Sequence, residues 1–161
     1  SHFSTGTYKV KLQPVDVIQI VKIQIEERVS DIKAKGLRLE IDLPERELVV
    51  SSDEYCLRQS VAHLIDNAIK YTESGHIVVG VRQLGNTIEI FVEDSGPGMN
   101  DDMQRIIFVA FNQGTFGHSR KYQGIGLGLS LVRLYMDSIQ ATVDLDSSIG
   151  EGSRFKISIP I

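Results

Sequence analysis

The sequence has no tryptophan, a single cysteine (Cys56) and no long apolar run. One cysteine excludes an internal disulfide and fits a reducing compartment. No apolar run reaches the roughly 18 residues that cross a bilayer, and the N-terminus lacks a signal-peptide pattern. Basic side chains (17) are fewer than acidic ones (21), so a nucleic-acid-binding surface is not indicated. We therefore expect a cytoplasmic domain with no nucleic-acid partner and no direct membrane contact.

The length and composition indicate one folded domain. The chain has 161 residues, 42% hydrophobic and 24% charged, which allows a sizeable core and disfavours disorder. We interpret residues 1–7 as an excised end of the domain or as part of a linker. We interpret residues 1–161 as a single domain of a larger protein, which itself can be membrane-anchored.

Hydrophobic periodicity predicts a mixed α/β fold. Apolar residues at helical spacing predict helices over 18–32 and 54–71, the second capped by Ser52 or Asp53, and a short helix over 101–107. The polar stretch 112–123 predicts a surface loop or lid, and the glycine run 124–128 is expected to open a last helix. Alternating apolar residues predict strands, at 8–12, 37–41, 77–81, 87–93, 141–146 and 154–159.

These elements favour an α/β (α+β) two-layer sandwich. In it, about three helices cover one face of a mixed, mostly antiparallel sheet of about five strands. Hairpins outnumber β-α-β units, and Gly85-Asn86 marks one hairpin turn.

An acidic turn follows the strand 87–92. Glu93 and Asp94 enter a turn in which Gly96 and Gly98 permit positive φ angles. A carboxylate accepts hydrogen bonds, so a ligand amino group, such as the exocyclic amine of adenine, is a natural partner. An ordinary polar hairpin turn is the alternative.

The helix 54–71 carries polar groups that its packing does not require. His63 and Asn67 share one face, and Asn67 borders the buried stripe, where an amide needs partners. An amide oxygen is a suitable Mg²⁺ ligand. Lys70 can meet a phosphate or be a solvated helix end. Tyr71 can pack on a purine or at the edge of the core.

The glycine run 124–128 is ambiguous by itself. No strand directly precedes it, as a dinucleotide fingerprint requires, and the sequence has no P-loop motif. Glycines at a helix start expose N–H groups that favour an anion. Close helix packing is the alternative.

Four successive motifs resemble one known family. The motifs are His63–Thr72, Asp94–Met99, Phe108–Gln113 and Gly124–Leu129. They resemble the N, G1, F and G2 boxes of the catalytic ATP-binding domain of sensor histidine kinases, members of the GHKL superfamily with the Bergerat fold and its ATP lid. The resemblance extends from residue 8 to residue 160, and Gly150–Phe155 resembles the family's closing strand pair.

This resemblance implies a site for ATP and Mg²⁺. Asp94 would bind the adenine amine, with Gly98 letting the base approach; Asn67 would hold Mg²⁺ and Lys70 would reach the phosphates. Gln113 stands where many members reach the γ-phosphate, so Asn67, Lys70 and Gln113 are the implied catalytic residues. Further nucleotide contacts are implied for Tyr71, Gly96, Met99, Phe111, Arg120, Lys121, Gly124, Gly126, Leu127, Gly128 and Ser153.

The resemblance also implies partners and a reaction. The domain would donate the γ-phosphate of ATP to a histidine on a dimerisation and phosphoacceptor domain outside this chain, upstream of a response regulator receiver domain, as in hybrid kinases. His63 replaces the usual asparagine, and also the glutamate with which ATPase relatives activate water. A degenerate binding module, a related ATPase and a serine kinase are the alternatives. For His63 we favour a place in the pocket wall over a role in Mg²⁺ binding.

Overall fold

The computed structural model describes residues 9–113 and 120–161, except the side chains of Phe108 and of residues 110–127. The strands are β1 (Gln13–Asp16), β2 (Arg38–Asp42), β3 (Val49–Ser52), β4 (His76–Leu84), β5 (Thr87–Asp94), β6 (Thr142–Ser148) and β7 (Gly152–Pro160). The helices are α1 (Val17–Glu26), α2 (Val29–Ala34), α3 (Glu54–Tyr71), α4 (Asp101–Gln113) and α5 (Arg120–Ser138).

A five-stranded mixed sheet has the order β2-β4-β5-β7-β6, and β1 and β3 form a separate antiparallel pair. β2 runs parallel to β4, and the other neighbours in the large sheet are antiparallel. The helices pack on one face. The predicted two-layer sandwich with a mostly antiparallel sheet is therefore confirmed. The central strand, β5, ends at Asp94 and delivers that residue to the edge of the sheet.

The core lies between the sheet and α3, which also contacts α1 and α5. Alternation on β5 and the 3.6-residue period on α3 direct large apolar side chains into this layer. Each such side chain contributes about 1.5–3 kcal/mol through burial, so the core fixes α3 firmly against the end of β5. The fully buried side chains include Leu57, Leu64, Ile65, Ile88, Ile90, Leu129, Met136 and Ile157.

The helix predicted over 54–71 has those bounds. Asp53 is its N-cap, and its carboxylate accepts a hydrogen bond from the Cys56 N–H at 3.0 Å. The hairpin of β4 and β5 turns at Gly85-Asn86, as predicted. The two closing strands are also confirmed, with slightly longer bounds than the sequence suggested.

Two predictions near the N-terminus are wrong. The first strand is Gln13–Asp16 rather than 8–12, because these residues pair with Val49–Ser52. The helix predicted over 18–32 is two helices. The chain leaves α1 after Glu26, and the Arg28 guanidinium donates to the Gln24 carbonyl at 3.0 Å, satisfying a carbonyl near the end of the first helix.

The helices around the predicted lid also differ from expectation. α4 continues to Gln113, and α5 begins at Arg120 rather than at the glycine run. A glycine costs a helix only about 1 kcal/mol, which the burial of Leu129, Val132 and Met136 outweighs. Lid residues 114–119 lie outside the described residues. Among the residues searched, no helix is long and apolar enough to cross a membrane.

Candidate nucleotide site

A cavity of about 340 Å³ opens between α3 and the C-terminal end of β5. Because the core fixes both elements, the cavity has rigid walls on these two sides. Six of the predicted site residues line it, namely Asn67, Tyr71, Asp94, Gly98, Met99 and Ser153. The sequence analysis assigned no site role to the residues that complete the wall and make it largely apolar, which are Ala68, Pro97, Asn100, Met103, Ile149 and Phe155.

Asp94 supplies a buried carboxylate in this wall. It is 9% exposed, and its Oδ1 accepts a hydrogen bond from the Gly96 N–H at 2.9 Å. The Ser153 N–H also donates to the carboxyl group, which is possible because Asp94 and Ser153 pair across β5 and β7. Burial raises the pKa of Asp94, while the two backbone hydrogen bonds oppose that rise. The side chain is thus a fixed acceptor in an apolar pocket.

The glycines of the acidic turn are required by the protein's own backbone. A Cβ on Gly96 would lie 2.9 Å from Asp94 Oδ1 and 3.1 Å from the Tyr71 carbonyl. Gly98 has a φ of +75°, and its Cβ would overlap the carbonyl oxygen of Ser148. The steric requirement at Gly98 therefore comes from the β6–β7 turn. Its predicted role in admitting the base stays a prediction.

Asn67 has an unsatisfied amide. Its Nδ2 is buried, and no hydrogen-bond partner for it occurs among the described residues. Buried amides ordinarily have partners, and Asn67 also lines the cavity, so this side chain is a candidate for a ligand contact. Within the residues searched, no group of three or more His, Cys, Asp or Glu side chains is placed to hold a metal. A Mg²⁺ ion here would depend on Asn67 and phosphate oxygens, an arrangement typical of Mg²⁺.

Lys70 and Tyr71 end α3 beside the cavity. The Lys70 ammonium lies 5.2 Å from the centre of the Tyr71 ring, within the range of a cation–π contact. The Lys35 ammonium donates to the carbonyls of Ile69 at 2.6 Å and Lys70 at 3.1 Å, which closes the end of the helix. Lys70 is exposed, so a positive charge stands near the mouth of the site.

His63 belongs to α3, and its side chain faces α5. Burial is the main cause that lowers its pKa, the Asp66 carboxylate raises the pKa, and the Arg28 guanidinium lowers it further. The imidazole is therefore biased towards its neutral form. A Cβ on Gly128 would lie 3.5 Å from His63 Nδ1. His63 thus packs against the glycine-rich end of α5.

Two polar residues that sequence patterns missed, Ser147 and Gln104, hold Met99 of the cavity wall from behind. The Met99 N–H donates to Ser147 Oγ at 2.9 Å, and Gln104 Nε2 donates to the Met99 carbonyl at 2.8 Å. The contact between Met99 and Ser147 joins residues 48 positions apart, so no local motif predicts it, whereas Gln104 lies only 5 positions after Met99. Ser147 stands only in the segment that joins two predicted strands.

Several predicted residues belong to α4 and α5. The glycine run lies inside α5 rather than before it, where helical N–H groups are used within the helix. A phosphate contact through those groups requires local opening of the helix and stays a prediction. The site roles of Gly124 and Gly126 stay predictions. The same holds for residues whose side chains lie outside the described set, namely Phe111, Gln113, Arg120, Lys121 and Leu127.

Known sequences resemble the whole chain. Sensor histidine kinase AtsR of Burkholderia thailandensis is 30% identical over 156 residues, covering 94% of this chain and 26% of that protein. Adaptive-response sensory kinase SasA of Gloeothece citriformis is 34% identical, covering 89% of this chain and 37% of the relative. The chain therefore spans well under half the length of these relatives.

Solved structures share the fold. Full-length ShkA, in complex with AMPPNP, has a TM-score of 0.80 at 25% identity, covering 99% of this chain and 34% of that one. The catalytic domain of histidine kinase ThkA has a TM-score of 0.78 at 21% identity, covering 93% of this chain and 95% of that one.

A family model agrees with both comparisons. The model described as histidine kinase-, DNA gyrase B-, and HSP90-like ATPase matches residues 52–161, which include α3, the acidic turn and the closing hairpin. The cavity and its buried carboxylate lie inside this matched region. The chain therefore belongs to the histidine kinase-, DNA gyrase B- and HSP90-like ATPase family, as an ATP-binding catalytic domain of the sensor histidine kinase type.

Proposed function

We propose that the cavity binds Mg-ATP and that the chain donates the γ-phosphate to a histidine on a separate dimerisation and phosphoacceptor domain. The buried, doubly hydrogen-bonded carboxylate of Asp94 in an apolar pocket is the observation that carries this proposal. ShkA, of the same fold, has been solved in complex with AMPPNP, which supports a nucleotide as the ligand.

Asp94 reads the base in this proposal. Its two backbone donors hold the carboxylate in one orientation, leaving the remaining acceptor capacity for the amine of adenine. Guanine carries a carbonyl at the corresponding position, and two acceptors facing each other in a dry pocket are unfavourable. Tyr71 and Met99 contribute apolar surface to the same wall.

Asn67 and Lys70 act on the phosphate side. The Asn67 amide oxygen would hold a Mg²⁺ ion, which would neutralise charge on the transferring phosphoryl group. Lys70 adds a positive charge near the cavity mouth. Phosphoryl transfer depends mainly on positioning and charge neutralisation, which these residues can supply without an additional nucleophile.

The proposal extends to the larger protein. The relatives include a hybrid signal transduction histidine kinase of Dictyostelium discoideum, of which this chain spans 8%. A phosphoacceptor histidine domain and a response regulator receiver domain are therefore the proposed partners. We also propose a cytoplasmic location, where ATP is supplied, and residues 1–161 as one catalytic domain.

Calorimetric titration with ATP and GTP, with and without Mg²⁺, tests the site. ATP should bind more tightly with Mg²⁺, and GTP should bind far more weakly than ATP. Asp94→Asn should abolish the preference for adenine, because the amide oxygen is needed by the Gly96 N–H and its NH₂ would face the amine. Asp144→Asn, at an exposed position on β6, is the matched control.

Asn67→Ala tests the metal assignment. Its loss of ATP affinity should be much larger with Mg²⁺ than without it. Equal losses in both conditions would reject Asn67 as the ligand, and no binding of ATP by the parent chain would reject the proposed function.

A further inference from the structure

Gln104 connects α4 to the base side of the cavity. The side chain is half-buried, and its Nε2 donates to two carbonyl oxygens, that of Met99 at 2.8 Å and that of Ser147 at 3.1 Å. These carbonyls belong to the acidic turn and to the end of β6. One primary amide, with two N–H groups on a single nitrogen, thus joins three separate segments.

Ser147 completes the connection. Its hydroxyl oxygen accepts from the Met99 N–H at 2.9 Å, so both backbone groups of Met99 are held. The same hydroxyl lies 2.8 Å from Ser153 Oγ and 3.1 Å from the Gly152 carbonyl. We call the hydrogen-bonded set Gln104, Met99 and Ser147 the rim clamp.

The rim clamp reaches the adenine-reading carboxylate through β7. Ser147 contacts Ser153, and the Ser153 N–H donates to the Asp94 carboxyl group. The Gly150 N–H also donates to the Pro97 carbonyl at 2.8 Å, which ties the β6–β7 turn to the acidic turn. Hydrogen-bonded contacts therefore run without a break from α4 to Asp94.

We propose that Gln104 is a positioning residue that sets nucleotide specificity by holding the acidic turn and the β6–β7 hairpin at the spacing that adenine requires. This inference rests on the proposed function. Gln104 does not line the cavity, so it acts through Met99, Ser147 and Asp94 rather than by touching the nucleotide.

The chemistry of the contact dictates the variants. Gln104→Glu keeps the shape but replaces the donor with an acceptor that faces two carbonyl oxygens. Gln104→Lys keeps N–H donors for both carbonyls, and Gln104→Met removes the donors without adding charge. Gln83→Glu is the matched control, because Gln83 is exposed at the opposite end of the sheet, where it accepts from Arg46 at 2.7 Å.

The experiment measures the dissociation constants of ATP and GTP by calorimetry for each variant of this chain. Loss of two hydrogen bonds predicts that Gln104→Glu binds ATP roughly tenfold more weakly and that the ATP-to-GTP preference falls. The dissociation constant of Gln104→Lys for ATP should stay within about twofold of that of the parent. Gln83→Glu should match the parent.

The outcomes separate the inference from the proposed function. If the parent does not bind ATP, the proposed function fails and the inference fails with it. If the parent binds ATP and Gln104→Glu equals it in affinity and preference, the inference alone is overturned. If circular dichroism shows that Gln104→Glu is unfolded, the comparison of Gln104→Met with Gln104→Lys decides. Equal dissociation constants for these two variants would contradict a donor role for Gln104.

Discussion

The His63 imidazole packs beside the α-carbon of Gly128, at a separation that leaves room for a methyl group. A Cβ on Gly128 would lie 3.5 Å from His63 Nδ1, an ordinary van der Waals distance. Packing between α3 and α5 therefore does not require glycine at this position. A functional requirement on the glycine-rich segment is the better explanation.

Gly128→Ala tests this relationship. The added methyl fits, and alanine is the better helix former, so the free energy of unfolding should rise by about 0.5–1 kcal/mol. If phosphate binding needs the start of α5 to open, the same change should weaken ATP binding. Chemical denaturation and calorimetry measure the two effects. Unchanged ATP affinity in a stabilised variant would remove Gly128 from the site.

His63 should make stability depend on pH on the acidic side of neutrality. Above its ordinary pKa of 6.5 the imidazole is neutral in both states, and the folded chain keeps its full stability. As the pH falls through that value, the unfolded chain takes up the proton first, because the folded pKa is lower, and stability is lost. His63→Asn should reduce the loss measured by denaturation between about pH 7.5 and about pH 5.5. An identical pH profile would show that His63 is not the cause.

Asp94 should favour binding at the expense of stability. Below its ordinary pKa of 3.8 the carboxyl group is protonated in both states. As the pH rises through that value, the unfolded chain ionises first, because burial raises the folded pKa, so the folded state loses stability. Without nucleotide, the Asp94→Asn variant should therefore be more stable than the parent at neutral pH, and the difference in stability should be smaller near about pH 4. Thermal unfolding measures the difference, and a variant less stable at neutral pH would contradict it.

Gly98→Ala should be far more damaging than Gly85→Ala. Both glycines have positive φ, +75° and +62°, so both changes carry the strain of a left-handed residue, about 1–2 kcal/mol. At Gly85 no atom of the described residues lies within 4 Å of the new Cβ, whereas at Gly98 it meets the Ser148 carbonyl. Urea denaturation should show the larger loss for Gly98→Ala, and equal losses would contradict the close contact.

Lys35→Met should loosen the end of α3. The change removes two donors from the carbonyls of Ile69 and Lys70, and the expected loss is about 1–2 kcal/mol of unfolding free energy. Hydrogen exchange should show faster opening at Lys70 and Tyr71. Lys22→Met, at an exposed position on α1, is the matched control and should have little effect.

Local signals predicted the parts of the fold that local physics determines. The capping carboxylate of Asp53 and an uninterrupted apolar stripe fix α3, and Gly85-Asn86 fixes the central hairpin. The position of Asp94 at the end of a buried strand followed from alternation and from the glycines after it. These features need only near neighbours in the chain.

Long-range contacts determine what the sequence did not predict. The break after α1 depends on the Arg28 guanidinium, which also meets Asp66 at 2.7 Å. The steric role of Gly98 depends on a carbonyl fifty residues later in the chain. Gln104 looks like a polar residue of an amphipathic helix. One partner of its amide, the Met99 carbonyl, is a near neighbour, but the other, the Ser147 carbonyl, is supplied by the folded β6–β7 hairpin.

The strand order has a consequence for the timing of synthesis. Of the five strands in the large sheet, β7 is made last, yet it lies between β5 and β6. The edge of β5 that carries Asp94 therefore has no neighbour on that side until Gly152–Pro160 has left the ribosome. If Asp94 binds adenine as proposed, ATP should not assist the folding of a nascent chain of this domain, because Ser153 and Phe155 of β7 complete the cavity only after these residues have been translated.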